Sequence, residues 1–164
     1  MPSATVTVRP MSGAADRAAF EQLNRHWIEQ YFTITPEDDR VLSHPDEAIV
    51  EPGGAVLVAV DDEGTVIGVV ALLAAGDGVF ELAKMTVSGA ARGRGVGHLL
   101  IRSAVDRARD AGAHRVFLGT STRLAPAIRL YERAGFTRTT VEDLGLRDYY
   151  ARADILMKLD LPRT

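Results

Sequence analysis

Residues 92–98 read Arg-Gly-Arg-Gly-Val-Gly-His, and "LLIRSAVDRARDAG" (99–112) follows directly. Three glycines alternate with two arginines and a valine at the mouth of a helix-like run. A helix N-terminus presents unpaired N–H groups and a partial positive charge. Glycines just before it allow conformations and close approaches that side chains forbid. Arg92 and Arg94 add formal charge. Together these make an anion cradle suited to a phosphate or pyrophosphate. The spacing is neither the Gly-Lys-Ser/Thr ending of a nucleotide loop nor the Gly-x-Gly-x-x-Gly of a dinucleotide fold. A tight turn with solvated arginines explains a lone glycine cluster equally well, so the neighbouring elements decide.

Before the loop, "AVLVAV" (55–60) and "TVIGVVALLA" (65–74) read as strands joined at Asp62-Glu63-Gly64, a hairpin signal. Gly76-Asp77-Gly78 is a second turn into "VFELAKMTV" (79–87), which completes an antiparallel meander. After the loop, 96–112 predicts a helix stopped by Gly112. His98, Arg102, Asp106 and Arg109 fall on its polar face; Val96, Leu100, Ala104, Ala108 and Ala111 face the other way. "HRVFLGTS" (114–121) is a further strand. "PAIRLYERAG" (126–135) is a helix begun by Pro126 and stopped by Gly135. "FTRTTV" and "DILMKLDL" supply the last strands.

Toward the N-terminus, "ATVTVRP" alternates as a short strand ended by Pro10, and Ser12 caps the helix that follows. In that helix Phe20, Leu23, Trp27 and Tyr31 recur at helical spacing, with Ile28 and Phe32 beside them. "TPEDDRVLSHPDEAIV" predicts short acidic helical pieces broken at Pro36 and Pro45. The order β-α-α-β-β-β-α-β-α-β-β predicts an α/β fold, a mixed sheet with helices on both faces.

The chain has 164 residues, the size of one domain, expected to span 1–164. Its 46% hydrophobic and 25% charged residues are ordinary for a globular protein. A net charge of -3 argues against a nucleic-acid partner. No cysteine is present, which excludes disulfides, thiol catalysis and thiolate metal sites. No run approaches the roughly 18 apolar residues of a membrane helix, and the first residues lack a signal-peptide core. A cytoplasmic address is the expectation. His26, His44, His98 and His114 are scattered without metal-ligand spacing, so no metal is expected.

The stretch "VFELAKMTVSGAARGRGVGHLL" (79–100) resembles the acetyl-CoA-binding motif of the GNAT superfamily of N-acetyltransferases. That motif is a strand, a short connection, then Arg/Gln-x-x-Gly-x-Gly/Ala opening a helix. A second block, "APAIRLYERAGF" (125–136), resembles the family's Ala-x-x-Leu-Tyr-x-x-x-Gly-Phe signature. The strand order matches too, and the resemblance covers nearly the whole chain. It implies a largely antiparallel sheet with a splayed central parallel pair that admits coenzyme A. It implies acetyl-CoA as acyl donor, with the backbone of Met85, Thr86 and Val87 pairing with the pantetheine arm. By the same resemblance Arg92, Gly93, Arg94, Gly95, Val96, Gly97 and His98 hold the pyrophosphate. Ser121 stands where many relatives place Asn, with shorter reach and one fewer donor.

Acyl transfer to an amine requires a neutral amine, a stabilised oxyanion and a protonated leaving thiolate. Cysteine is absent and no Gly-x-Ser-x-Gly elbow exists, so direct attack on acetyl-CoA is the simpler route. Tyr131 matches the family tyrosine that acts as general acid toward the coenzyme sulfur; its alternative is a packing role. Glu81 lies eleven residues before Arg92, matching the base glutamate of some histone-modifying members. A base acting through water, a structural ion pair and a carboxylate that binds a cationic substrate all suit it. Strand periodicity sets Glu81 and Lys84 on opposite faces.

In this fold the first helices and the final hairpin wall the acceptor pocket. Trp27, Tyr31, Phe32, Tyr149 and Tyr150 could line it, although helical spacing makes the first three core residues. Glu37, Asp38 and Asp39 attract an amine or form a solvated helix start. Arg147 and Arg152 could bind a substrate carboxylate. The chain resembles bacterial members carrying "ELAKM" and "YARADI" segments. The expectation is an N-acetyltransferase acting on a primary amine of a small molecule, peptide or protein, as a monomer or homodimer. The alternatives are a non-catalytic acyl-CoA-binding regulatory module and a scaffold domain.

Overall fold

The computed structural model describes residues 5–146 and 154–162. Seven strands form one sheet in the order β1-β2-β3-β4-β5-β7-β6. They are β1 (Thr7–Pro10), β2 (Ala55–Val60), β3 (Val66–Ala74), β4 (Val79–Val87), β5 (Arg115–Thr120), β6 (Thr137–Thr139) and β7 (Ile155–Asp160). Every neighbouring pair is antiparallel except β4–β5. The helices are α1 (Gly13–Tyr31), α2 (Pro36–Ser43), α3 (Val96–Asp110), α4 (Ala125–Arg133) and α5 (Val141–Leu144).

Both faces of the sheet are covered, which is why β2 and β3 are apolar without alternation. On one face Leu57, Val70, Leu72, Leu82 and Leu118 pack with Leu100, Ile101 and Ala104 of α3 and Ile128 of α4. On the other, Val56, Val58, Val69 and Ala71 pack with Phe20 and Ile28 of α1 and Val41 and Leu42 of α2. Gly68 of β3 lets α3 sit close: a Cβ there would lie 2.9 Å from Leu100 Cδ1. No helix of the described residues is long and apolar enough to cross a membrane.

Several local expectations need correction. Ser12 occupies the N-cap of α1 but makes no side-chain cap bond. Its N–H donates instead to Asp16 Oδ2 at 2.7 Å, so a carboxylate one turn inside the helix does the capping. Ala111 is exposed beyond the end of α3 rather than part of its apolar face. The strand expected over "FTRTTV" spans only Thr137–Thr139. Thr140 then caps α5 by accepting from Asp143 N–H at 3.1 Å, and Gly145 at φ 70 stops it after one turn.

The largest correction lies in β4. Opposite β3, Thr86 faces Val69 but Ala83 faces Ala71, so β4 holds one extra residue there. Lys84 absorbs it at φ 53, the one positive-φ non-glycine among the described residues. The extra residue reverses the alternation. Lys84 therefore turns to the α1/α2 face, where it meets α2, and does not oppose Glu81. Glu81 pairs with Leu73, which packs on the same face.

Candidate active site

β4 and β5 run parallel but pair over only three residues each, Val79–Glu81 against Arg115–Phe117. Beyond that the rest of β4, through Met85, Thr86 and Val87, has no strand partner on its β5 side among the described residues. The gap opens toward the C-terminal ends of both strands. Backbone groups left without a neighbouring strand are available to a ligand.

The glycine loop closes that open end. Gly95 is the N-cap of α3 at φ 76, and Gly93 sits at φ 81, conformations that favour glycine. A Cβ on either would meet no atom within 4 Å, so neither glycine is demanded by packing. Gly97 differs: its Cβ would lie 2.8 Å from Leu130 Cδ2, so it serves the approach of α3 to α4. Arg92 and Arg94 are exposed, while Val96 is buried. An exposed basic loop, with amides at a helix start and room in front of it, suits a pyrophosphate.

Tyr131 lies on α4 within the α3-side core, edge-on to Phe136 at 6.1 Å between centroids. Its residue exposure is 9%. Burial pushes the phenol up to about 12. Its hydroxyl makes no hydrogen bond with the described residues.

Glu81 is half-buried on the opposite face, level with Phe117 across the parallel pair. Ser121 follows β5 directly, is 5% exposed, and accepts from Arg123 N–H at 3.2 Å. The turn it caps is held by Asp154, which accepts from Thr122 N–H at 2.9 Å and Thr122 Oγ1 at 2.8 Å. Thr86 is tied inward through its hydroxyl, which donates to Asn24 Oδ1 at 2.9 Å, leaving its backbone on the gap. Asn24 escaped the sequence reading; its signal is a polar residue at helical spacing between Phe20 and Ile28.

The acidic run of α2 divides. Glu37 pairs with Arg40 and Asp39 with Arg25. Asp38 is fully buried against Lys84, while Glu37 and Asp39 stay exposed, so two of the three form the solvated helix start and the third belongs to the interior. Trp27 and Phe32 are partly buried in the core, but Tyr31 is 39% exposed. Arg147, Tyr149, Tyr150 and Arg152 lie outside the described residues. Among those described, no cluster of three or more His, Asp or Glu could hold a metal ion.

The family model for the acetyltransferase (GNAT) family matches residues 20–136. An uncharacterized N-acetyltransferase of Schizosaccharomyces pombe is 29% identical over 143 residues, 85% of this chain and 87% of its own. A GNAT-family acetyltransferase structure from Staphylococcus aureus superposes with a TM-score of 0.85 at 16% identity, over 96% of this chain and all of its own (100%). A Salmonella typhimurium structure solved with its cofactor acetyl-CoA gives a TM-score of 0.72 at 25% identity, over 98% and 96% of the two chains. With its glycine-capped α3, its parted β4 and β5 and these matches, the chain belongs to the GNAT family of acetyltransferases.

Proposed function

We propose that the chain transfers an acetyl group from acetyl-CoA directly to a primary amine. The single observation that carries this is the divergence of β4 and β5 toward a glycine-capped helix start. Acetyl-CoA supplies the thioester. The backbone of Met85, Thr86 and Val87 binds the pantetheine arm, and the loop from Arg92 to His98 holds the pyrophosphate. Ser121 borders the opposite side of the gap.

Glu81 takes a proton from the ammonium form of the acceptor, through water. The freed nitrogen bonds the acyl carbon as the C–S bond breaks, and the extra proton it then carries leaves to water. Tyr131 gives its proton to the departing sulfur and takes one back from solvent. A phenol near 12 is a weaker acid than a thiol at about 8.5, so this assistance belongs at the low end of the general-acid range. The acceptor is a small-molecule amine or an amine of a peptide or protein.

Incubation with acetyl-CoA and a panel of amines, read by release of free thiol, tests this. Amine-dependent thiol release with a matching acetylated product is expected. Binding of coenzyme A without turnover of any amine would overturn it in favour of a non-catalytic acyl-CoA-binding module.

A further inference from the structure

Arg123 reaches the α1/α2 side of the sheet. It lies in the turn that follows β5, and its guanidinium carbon is 5.4 Å from the centroid of the Phe32 ring. Phe32 follows α1 and leans in turn on Trp27 at 6.1 Å. The backbone beneath Arg123 is fixed by Ser121 Oγ and, one residue back, by Asp154. A guanidinium held over a ring by this cation–π contact keeps N–H donors directed away from the ring for a planar anion. Those donors make no hydrogen bond or ion pair with the described residues. Elsewhere on this side of the molecule Arg9, Arg17, Arg25 and Arg40 each hold a carboxylate. The chain has 22 acidic against 19 basic residues, so carboxylates are not scarce.

Its face identifies the anion. Phe32 packs in the α1/α2 cluster, the side that also carries Glu81. The glycine loop opens α3, which packs on the other face. Arg123 therefore leans away from the pyrophosphate cradle and toward the side where the amine is deprotonated. We propose that Arg123, held over the Phe32 ring, is an anion subsite for the acceptor, and that the amine acetylated here carries a carboxylate. The proposal rests on the acetyltransferase reading. A guanidinium edge pairs bidentately with a carboxylate, and the matching carboxamide offers it no charge.

The test is a panel of matched amines, α- and ω-amino acids and dipeptides, each beside its C-terminal carboxamide. All are assayed with acetyl-CoA and thiol detection. In the wild-type protein kcat/KM for the preferred carboxylate should exceed that of its carboxamide by about ten- to a hundredfold, the usual scale of a charge-assisted pair. Arg123→Met should collapse that ratio toward one, chiefly through the acceptor KM, with Arg123→Lys retaining part of it. Phe32→Leu, which keeps an apolar side chain but removes the ring, should lower the ratio less. The proposal is overturned if the wild-type ratio is near one or if Arg123→Met leaves it unchanged. It is also overturned if Arg123→Met raises the KM of acetyl-CoA while sparing the ratio, since the guanidinium would then read coenzyme phosphate. Failure of every amine, while coenzyme A still raises the melting temperature, overturns the acetyltransferase reading and the subsite with it.

Discussion

Lys84 Nζ and Asp38 Oδ1 meet at 2.8 Å, joining the bulge of β4 to the first turn of α2. Asp38 is fully buried and serves twice. Its other oxygen accepts from Thr35 N–H at 2.9 Å, while Thr35 Oγ1 accepts from Asp38 N–H at 3.0 Å. This capping box starts α2, with Pro36 as its first helical residue. One carboxylate thus starts α2 and pins it beside the stretch of β4 that borders the gap.

Removing the ammonium from a buried carboxylate costs far more than the pair itself contributes. Lys84→Met should therefore destabilise the fold by about 3 kcal/mol. Asp38→Asn should cost less, because an amide oxygen can still accept from Thr35 N–H and the lysine, 15% exposed, can reach water. The double variant should be more stable than Lys84→Met alone. Urea unfolding of the three variants beside wild type decides it, and a Lys84→Met midpoint equal to wild type would show that the pair is incidental.

At the glycine loop, the open space before Gly95 makes its substitutions informative. Gly95→Asp meets no protein atom but sets a negative charge where a pyrophosphate is proposed to lie. Gly95→Asn suffers the same positive φ with no charge. Coenzyme A should raise the melting temperature of the wild type by mass action, raise that of the Asn variant less, and fail to move the Asp variant. Equal shifts in all three folded proteins would remove the loop from the cofactor site.

Glu81→Gln separates the roles open to that carboxylate. Without a base, turnover depends on the fraction of amine already neutral. The loss should be greatest at low pH and shrink as pH rises, with the KM of acetyl-CoA nearly unchanged. A raised acceptor KM with kcat spared would instead mark Glu81 as a cation-binding group. A variant kinetically identical to wild type would take it out of the site.

Most of what the sequence made legible was periodic or punctuated. The meander, the helix after Gly95 and the stop at Gly112 follow from hydrophobic repeats and glycines whose conformations only a turn or cap requires. What stayed hidden was not periodic. One inserted residue in β4 moves Lys84 to the other face, and no local pattern announces a bulge at a lysine. Asp38 looks like its neighbours Glu37 and Asp39 in an acidic helix start, and only tertiary packing tells a buried carboxylate from a solvated one. Arg123 and Phe32 belong to separate elements, and their contact depends on how α1 crosses the sheet.

Tyr131 carries the sharpest test because its two readings differ in rate, and its burial supplies a second observable. Tyr131→Phe keeps the ring against Phe136 and removes only the hydroxyl. If the phenol protonates the leaving thiolate, kcat should fall by about a hundredfold, the lower end for general acid assistance, while acetyl-CoA binds within a few-fold of wild type. The folded phenol is pushed up to about 12 from an ordinary 10.0. Its unfolded counterpart ionises first as pH rises, so the stability held below pH 10 is lost between about 10 and 12. Phenylalanine has no such proton, and its variant should lose up to about 3 kcal/mol less across that window. Below pH 10 the phenol stays protonated, so Tyr131 contributes no alkaline limb to the wild-type rate profile there. Stopped thiol assays from pH 6 to 10, beside urea unfolding on both sides of pH 10, read both effects. A folded Tyr131→Phe protein with wild-type kcat means that the phenol is a packing residue and the thiolate leaves unaided.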